Sequence, residues 1–185
     1  DKISFVQTTG SLAFIGGVFL TGFFSRKFGK RNSLIGLTLL NGITVLLLFL
    51  IPRDGYGTLV IMNIVGNLLA GPTPALVWAI YTDVADYGEW RSGRRVTGLA
   101  FSAAMFAQKL GISIGGSVCG WLLGAAHFDP DKAPSDEIIQ TFRWIACILP
   151  GILAILNGVV LFWYKLSDHE VEKIAAELEE RRSEA

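Results

Sequence analysis

One lysine in the middle of a long apolar stretch is the most informative candidate for chemistry in this sequence. The stretch runs from Thr97 to Ala126, and as a helix it places Lys109 about 4 Å from its midpoint. A cation at that depth in a bilayer costs about 3 kcal/mol unless it faces a cavity or a carboxylate. Ser102 and Ser113 lie on the same helical face as the lysine. This stripe predicts the lining of a pore or substrate cavity; a lysine that extends to the membrane interface is the alternative.

A second polar stripe follows the third apolar stretch. Five residues at helical spacing share one face: Asn63, Asn67, Gly71, Pro74 and Trp78. Near the middle, Gly71, Pro72 and Pro74 predict a helix break, because prolines remove backbone hydrogen bonds. Broken helices are typical of transporter binding sites, but a kink that only serves packing is equally compatible with these prolines. For Trp78 and the two asparagines we expect cavity lining.

A charged connection follows this stretch, with three acids and three bases within 13 residues: Asp83, Asp86, Glu89, Arg91, Arg94 and Arg95. Such a group could form an ion-pair network that closes one side of a carrier. Taken on physical grounds alone, a solvated loop is favoured, because exposed ion pairs contribute little. The cysteines and histidines do not have metal-ligand spacing, and no nucleophile lies near a base in the pattern. The sequence therefore predicts neither an enzyme nor a metal or cofactor site.

Five apolar stretches must position these residues, and they cover about 4–24, 33–51, 58–82, 97–126 and 138–164. Each is long enough for the roughly 30 Å of a bilayer core. Lys109 and Arg143 are the charged residues inside them. The pattern predicts an all-α integral membrane protein with five transmembrane helices. A net charge of zero, with sixteen acids and sixteen bases, argues against a nucleic-acid partner.

The basic residues predict the orientation of these helices. Eleven of the sixteen Lys and Arg residues lie in the connections 25–32 and 83–96 and in the end after Tyr164. The positive-inside rule makes that side cytoplasmic, which places the C-terminus in the cytoplasm and the protein in the cell's inner (plasma) membrane. Residues 165–185 are expected to form a solvated amphipathic tail helix that begins with a capping box of Ser167 and Glu170. Because the chain starts at Asp1 without an initiator Met, we expect a piece of a longer protein.

Three segments resemble a known family: Asp83-Val84-Ala85-Asp86-Tyr87-Gly88-Glu89-Trp90, Gly93-Arg94-Arg95-Val96-Thr97-Gly98 and Phe106-Ala107-Gln108-Lys109-Leu110-Gly111. They are similar to the glycoside–pentoside–hexuronide:cation symporters, the melibiose-carrier family of the major facilitator superfamily. The resemblance implies that the chain corresponds to spans 8–12 of a twelve-span fold, with the cation-site carboxylates in a missing N-terminal half. It also implies that Lys109 lies near the cation and sugar sites, and that Asp83, Asp86 and Arg95 belong to a cytoplasmic gate. Ala104 and Met105 replace polar residues of melibiose carriers, which favours the glycoside, xyloside or glucuronide branches.

The predicted function is that of a secondary active transporter that moves a sugar, glycoside or glucuronide together with Na⁺ or H⁺ by alternating access. Its expected partners are that solute, the coupling cation, the lipid bilayer and the N-terminal half of the same protein. A proton-driven exporter of small apolar compounds is the main alternative. An intramembrane enzyme or a membrane scaffold that does not transport is a weaker one.

Overall fold

The computed structural model describes residues 2–52, 54–94, 97–129 and 135–183, and every regular element in these ranges is helical. The α-helices in chain order are α1 (Lys2–Phe19), α2 (Thr21–Phe28), α3 (Lys30–Leu48), α4 (Tyr56–Ala70), α5 (Thr73–Ser92), α6 (Thr97–Ala125), α7 (Asp136–Arg143), α8 (Leu149–Val160) and α9 (Asp168–Ser183). A π-helical turn, Trp144–Ile148, joins α7 to α8, and a 3₁₀ turn, Leu161–Trp163, follows α8. The all-α class predicted from the sequence is confirmed for these residues.

Three helical units in the described residues are long and apolar enough to cross a membrane: Lys30–Leu48, Tyr56–Ser92 and Asp136–Trp163. A fourth is obtained if α1 and α2, which are bent by 43° relative to each other, count as one span. Helix α6 has 29 residues but is not among them. Gln108, Lys109 and the many glycines and serines of α6 make it less apolar than the other candidates. The described residues thus supply three or four candidate spans where the sequence predicts five.

Helix α3 lies at the centre of the described bundle and packs against α4, α5 and α8. Four buried side chains form the core where α3 meets α5: Leu34, Leu37, Leu76 and Ile80. Phe24 and Tyr164 pack against this cluster from α2 and from the segment after α8. The apolar sides of α3 and α5 therefore fix the relative position of the two helices that carry Lys30 and the charged connection.

Helices α4 and α5 follow one another in a single 37-residue unit with an interruption at Gly71 and Pro72. Both residues keep right-handed helical backbone angles, and the Gly71 N–H still donates to the Asn67 carbonyl oxygen at 3.0 Å. Pro74 lies in the first turn of α5, where a missing N–H breaks no intrahelical hydrogen bond. The interruption therefore begins a new helix without forcing the chain out of the helical direction.

Glycines allow α1 and α4 to approach each other at backbone distance. A methyl group added at Gly17 would lie 3.1 Å from the Gly71 Cα atom and closer still to the Leu68 carbonyl oxygen. A methyl group added at Gly71 would in turn clash with the Phe14 carbonyl oxygen. Because backbone atoms cannot move aside like the end of a flexible side chain, this seam requires glycine on both helices.

Replacing Gly17 by Ala should destabilise the full-length protein by about 1–3 kcal/mol, the usual cost of overpacking a close contact. The measurement is the thermal unfolding midpoint of the purified protein in detergent. Gly36→Ala on α3 is the matched control, because an added methyl group there has nothing within 4 Å. Equal midpoints for Gly17→Ala and Gly36→Ala would contradict the close α1–α4 seam.

Helix α6 is the least covered of the long helices. None of its residues is buried, and among the described helices it packs against α5 and α7. At four glycines of its middle part, an added methyl group would have nothing within 4 Å: Gly111, Gly115, Gly116 and Gly120. The small-residue side of this helix therefore has no neighbour within the part of the chain that the structure describes.

The tail forms a helix, as expected, but it is not merely solvated. Its capping box is confirmed: the Ser167 N–H donates to the Glu170 carboxylate at 2.8 Å, and the Glu170 N–H donates to the Ser167 hydroxyl at 3.3 Å. The Ser167 backbone N–H, followed by its hydroxyl, lowers the pKa of Glu170. Ile174 and Leu178 are nevertheless buried, because α9 packs against α5.

Candidate substrate-binding site

A cleft of about 240 Å³ lies between α5 and α6. Residues of α5 form one wall: Thr73, Pro74, Val77, Trp78 and Tyr81. Residues of α6 form the other: Ala104, Met105 and Gln108. Its lining is mostly apolar, with hydroxyl and amide groups at a few positions, which is the usual composition of a small-molecule site.

An aromatic group gives this cleft its shape. The Trp78 and Phe101 rings stack with centroids 5.8 Å apart and an interplanar angle of 18°. Tyr81 stands edge-on to Trp78, at 5.8 Å and 81°. Trp78 nevertheless remains 45% exposed, so a large part of the indole is available to a ligand. Offset stacking with an edge-on third ring is a favourable aromatic arrangement, and here it holds the indole in a defined orientation.

The predicted stripe on α6 lies beside this cleft on the uncovered side of the helix. Lys109, Ser102 and Ser113 are all exposed. Gln108, one residue before the lysine, lines the cleft itself. Among the described residues, Lys109 has neither a hydrogen-bond acceptor nor an acidic partner. Its charge is therefore uncompensated within this part of the protein.

The structure separates the second predicted stripe into two parts. Pro74 and Trp78 line the α5–α6 cleft, whereas Asn63 and Asn67 face Gly10 of α1. The Asn67 amide donates to the Asn63 backbone carbonyl at 2.9 Å, and the buried Asn63 Oδ1 atom has no hydrogen-bond donor in the described residues. The asparagines thus lie in the α1–α4 seam, about three to four helical turns away from Trp78, since Gly71 and Pro72 divide α4 from α5 and each half has a different neighbour.

The part of the charged connection up to Ser92 is helical and forms the last turns of α5. Lys30 Nζ donates to Asp83 Oδ1 at 2.7 Å, and this pair is well shielded, with side-chain exposures of 24% and 9%. Glu89 accepts two hydrogen bonds from Arg182 of α9, at 2.8 and 3.2 Å. The hydrogen bond from Arg182 to Glu89 raises the pKa of Arg182. Two of the three predicted gate acids are therefore paired within this chain.

The other predicted gate residues differ. Asp86, Arg91 and Arg94 form no ion pair with any residue in the described ranges. Arg95 lies outside the described residues. Along the end of α5, within the described part of the chain, the paired acids Asp83 and Glu89 alternate with the unpaired Asp86 and Arg91, and the unpaired Arg94 follows after the helix.

Several residues of these sites were not singled out by the sequence. Gln108, Phe101 and Tyr81 belong to the cleft, and Lys30 and Arg182 pair with the acids. Gln108 could have been noticed as a polar side chain inside an apolar stretch. The two basic partners are 53 and 93 residues away from their acids in sequence, so spacing contains no signal for them.

Within the described residues, no group of three or more His, Cys, Asp or Glu side chains is placed to hold a metal ion. The arrangement of the α5–α6 cleft is suited to binding. A flat aromatic face can pack against an apolar ligand surface, and the neighbouring amide, hydroxyl and ammonium groups can donate hydrogen bonds.

A helical bundle with three or four candidate membrane spans in the described residues, and with a polar and aromatic cleft between α5 and α6, fits the architecture of a membrane carrier. The family described as MFS/sugar transport protein matches residues 1–168. The chain belongs to this family, which consists of membrane transporters and not of enzymes.

Individual relatives agree with this assignment. YagG of Escherichia coli (strain K12), whose name assigns it provisionally to glycoside/cation symport, is 31% identical over 175 residues, covering 94% of this chain and 38% of that protein. The inner membrane symporter YicJ of the same strain is 29% identical and covers 72% of this chain and 29% of its own length. The isoprimeverose transporter of Lactiplantibacillus pentosus is 29% identical, covering 90% and 35%. The chain thus spans about two fifths or less of the length of these relatives.

Proposed function

We propose that this chain is the C-terminal half, less one span, of a secondary active transporter that moves a sugar or glycoside together with Na⁺ or H⁺. In this proposal the chain supplies spans 8–12 of a twelve-span carrier, with α6 as the fifth membrane-crossing helix. Membership of the transporter family supports this proposal. So does the length of the match, because the chain covers only 29–38% of each of the three relatives. The polar side of α6 would be tolerated in the membrane because it faces a cavity shared with the other half.

The observation that carries the substrate class is the exposed indole of Trp78 beside Gln108. A sugar ring has an apolar face of C–H groups and a rim of hydroxyls. The face would lose contact with water by packing on the indole, and the hydroxyls would bond to the amide of Gln108, which lines the cleft. The ammonium of Lys109, the next residue on the exposed side of α6, would be a further donor. An apolar solute would leave those polar groups without partners.

The coupling mechanism would follow from the uncompensated charge of Lys109. The coupling cation would be bound by carboxylates in the other half. The Lys109 ammonium would compete with this cation for the negative charge of those carboxylates. Alternating access would make and break contacts between the halves at the gate residues that lack a partner here, Asp86, Arg91 and Arg94, with Arg95 a further candidate. The side that holds these residues and α9 would be cytoplasmic, in an inner membrane such as that of YicJ.

The test is uptake by the full-length transporter in membrane vesicles, with a panel of glycosides, xylosides and glucuronides and with an imposed Na⁺ or H⁺ gradient. Accumulation of one sugar class that requires one of the gradients is the expected result. Sugar-independent, proton-driven extrusion of apolar compounds would instead identify the exporter. Absence of either transport activity in a folded, membrane-inserted protein would contradict the carrier.

Trp78→Ala should raise the apparent KM for the transported sugar about five- to thirtyfold, since loss of one aromatic stacking contact costs about 1–2 kcal/mol. Trp78→Phe keeps a ring in the cleft and should lie between wild type and Trp78→Ala. Trp163→Ala is the matched control, because Trp163 is an exposed indole at the end of a span and does not line the cleft. An unchanged KM for Trp78→Ala would exclude the indole from the sugar site.

A further inference from the structure

The tail helix α9 is attached to the bundle by specific contacts along its length. Ile174 and Leu178 are 8% and 4% exposed, in a helix whose other side is charged and solvated. They lie one helical turn apart on the same face. Their burial provides an apolar contact between α9 and α5, and polar contacts between the two helices add to it.

Three hydrogen-bonding contacts join α9 to the last turns of α5. The Trp90 indole N–H donates to Glu177 Oε2 at 2.7 Å. Arg182 donates twice to Glu89 Oε1, and Arg181 donates to the Trp90 carbonyl oxygen at 3.3 Å. That carbonyl belongs to the final turn of α5, where a helix has unsatisfied acceptors and a negative dipole end, so a guanidinium there is favourable.

The opposite end of α9 contacts α3. Asp168 Oδ2 accepts a hydrogen bond from the Lys30 backbone N–H at 3.1 Å, and thus caps the first turn of α3 from 138 residues away. Gly29 has φ 81°, and a side chain there would collide with the Asp168 carboxylate. The 16 residues of α9 therefore bridge the start of α3 and the end of α5, over about 24 Å.

Glu89 is enclosed by this bridge. Its side chain is 13% exposed, Oε1 is occupied by Arg182, and Oε2 is buried without a described partner. A basic residue from elsewhere could reach this carboxylate only after α9 had moved away. The residue that already pairs with Glu89 is Arg182, which lies on α9, and α9 packs against α5 of the same bundle.

We propose that α9 is a clamp that holds the end of α5 in position relative to the start of α3, and that Glu89 is a positioning residue inside this clamp. Glu89 then takes no part in the contact between the two halves of the carrier, unlike the role suggested by its place in the charged motif. The part of the proposal that is tested by sugar uptake rests on the proposed transport function. The part that is tested by hydrogen exchange of α9 does not depend on that function.

The test uses the full-length protein in nanodiscs, with hydrogen exchange of the α9 amides as the first measurement and sugar uptake as the second. Arg182→Glu places a like charge opposite Glu89. The amide hydrogens of α9 should therefore exchange at least about fivefold faster than in the wild type. Uptake Vmax per inserted molecule should fall in the same variant while the sugar KM stays unchanged, because the cleft lies elsewhere. The double variant Glu89→Arg with Arg182→Glu should restore both exchange protection and Vmax.

A second pair of variants tests the indole contact. Glu177→Gln keeps an acceptor for the Trp90 N–H and should behave as wild type, whereas Glu177→Leu should loosen α9. Glu180→Gln, an exposed charge change on the same helix, is the matched control. If the charge swap fails to restore Vmax while α9 is protected, Glu89 acts outside the clamp and the proposal is wrong. If α9 exchanges equally fast in all variants and wild type, there is no clamp. Protected α9 in a protein without sugar uptake would refute the proposed function alone.

Discussion

Cation-driven sugar uptake should be abolished when Lys109 is replaced by Val in the full-length transporter. The lysine is the thirteenth residue of the 29-residue helix α6, close to its middle, and has no acidic partner in the described residues. In the proposed carrier, α6 crosses the membrane and carboxylates of the other half compensate this charge. Loss of the ammonium would leave them without a partner, a cost of about 3–5 kcal/mol that corresponds to more than about a hundredfold in uptake.

The measurement is initial uptake under an imposed Na⁺ or H⁺ gradient, normalised to the amount of inserted protein. Lys109→Arg retains the charge and should keep part of the activity, although the guanidinium cannot occupy the same space. Lys165→Val removes an exposed base beyond the last span and serves as the control. Undiminished gradient-driven uptake by Lys109→Val would rule out a coupling role.

The sequence predicts the helices of this protein well because its signals are local. Long apolar stretches mark α3, α4 to α5 and α7 to α8, and Gly71-Pro72 marks the interruption where α4 ends and α5 begins. Ser167 and Glu170 mark the start of α9 through a contact over three residues. These features depend on neighbours along the chain, so periodicity and capping rules are sufficient to find them.

The choice of neighbours could not be predicted in the same way. Asn63 and Trp78 share a face in the sequence pattern, but one contacts α1 and the other stacks on Phe101 of α6. The bend of 43° between α1 and α2 follows no proline, and the burial of Ile174 and Leu178 against α5 was not expected for a solvated tail helix. Tertiary partners depend on which surfaces meet, and a single sequence contains that information only indirectly.

The Lys30–Asp83 pair should be the most important polar contact for stability in the described residues, and its two partners should not be equivalent. Asp83 is buried on α5, where its short side chain cannot reach water, whereas the Lys30 side chain is longer and more exposed. Lys30→Met therefore leaves a carboxylate without compensation and should destabilise the protein by about 3–5 kcal/mol. Asp83→Asn should cost less, because the free ammonium can extend to solvent.

Replacing both partners, with Lys30→Met and Asp83→Leu, should recover most of the loss, since a buried ion pair and an apolar pair of similar size are close in stability. Thermal unfolding of the purified full-length wild type, Lys30→Met, Asp83→Leu and the double variant completes the double-mutant cycle. If Lys30→Met unfolds at the wild-type temperature, the pair does not hold α3 and α5 together. Uptake by the stable double variant then separates two roles. A double variant that is stable but inactive identifies Asp83 as part of the gate, whereas full activity assigns the pair to the fold alone.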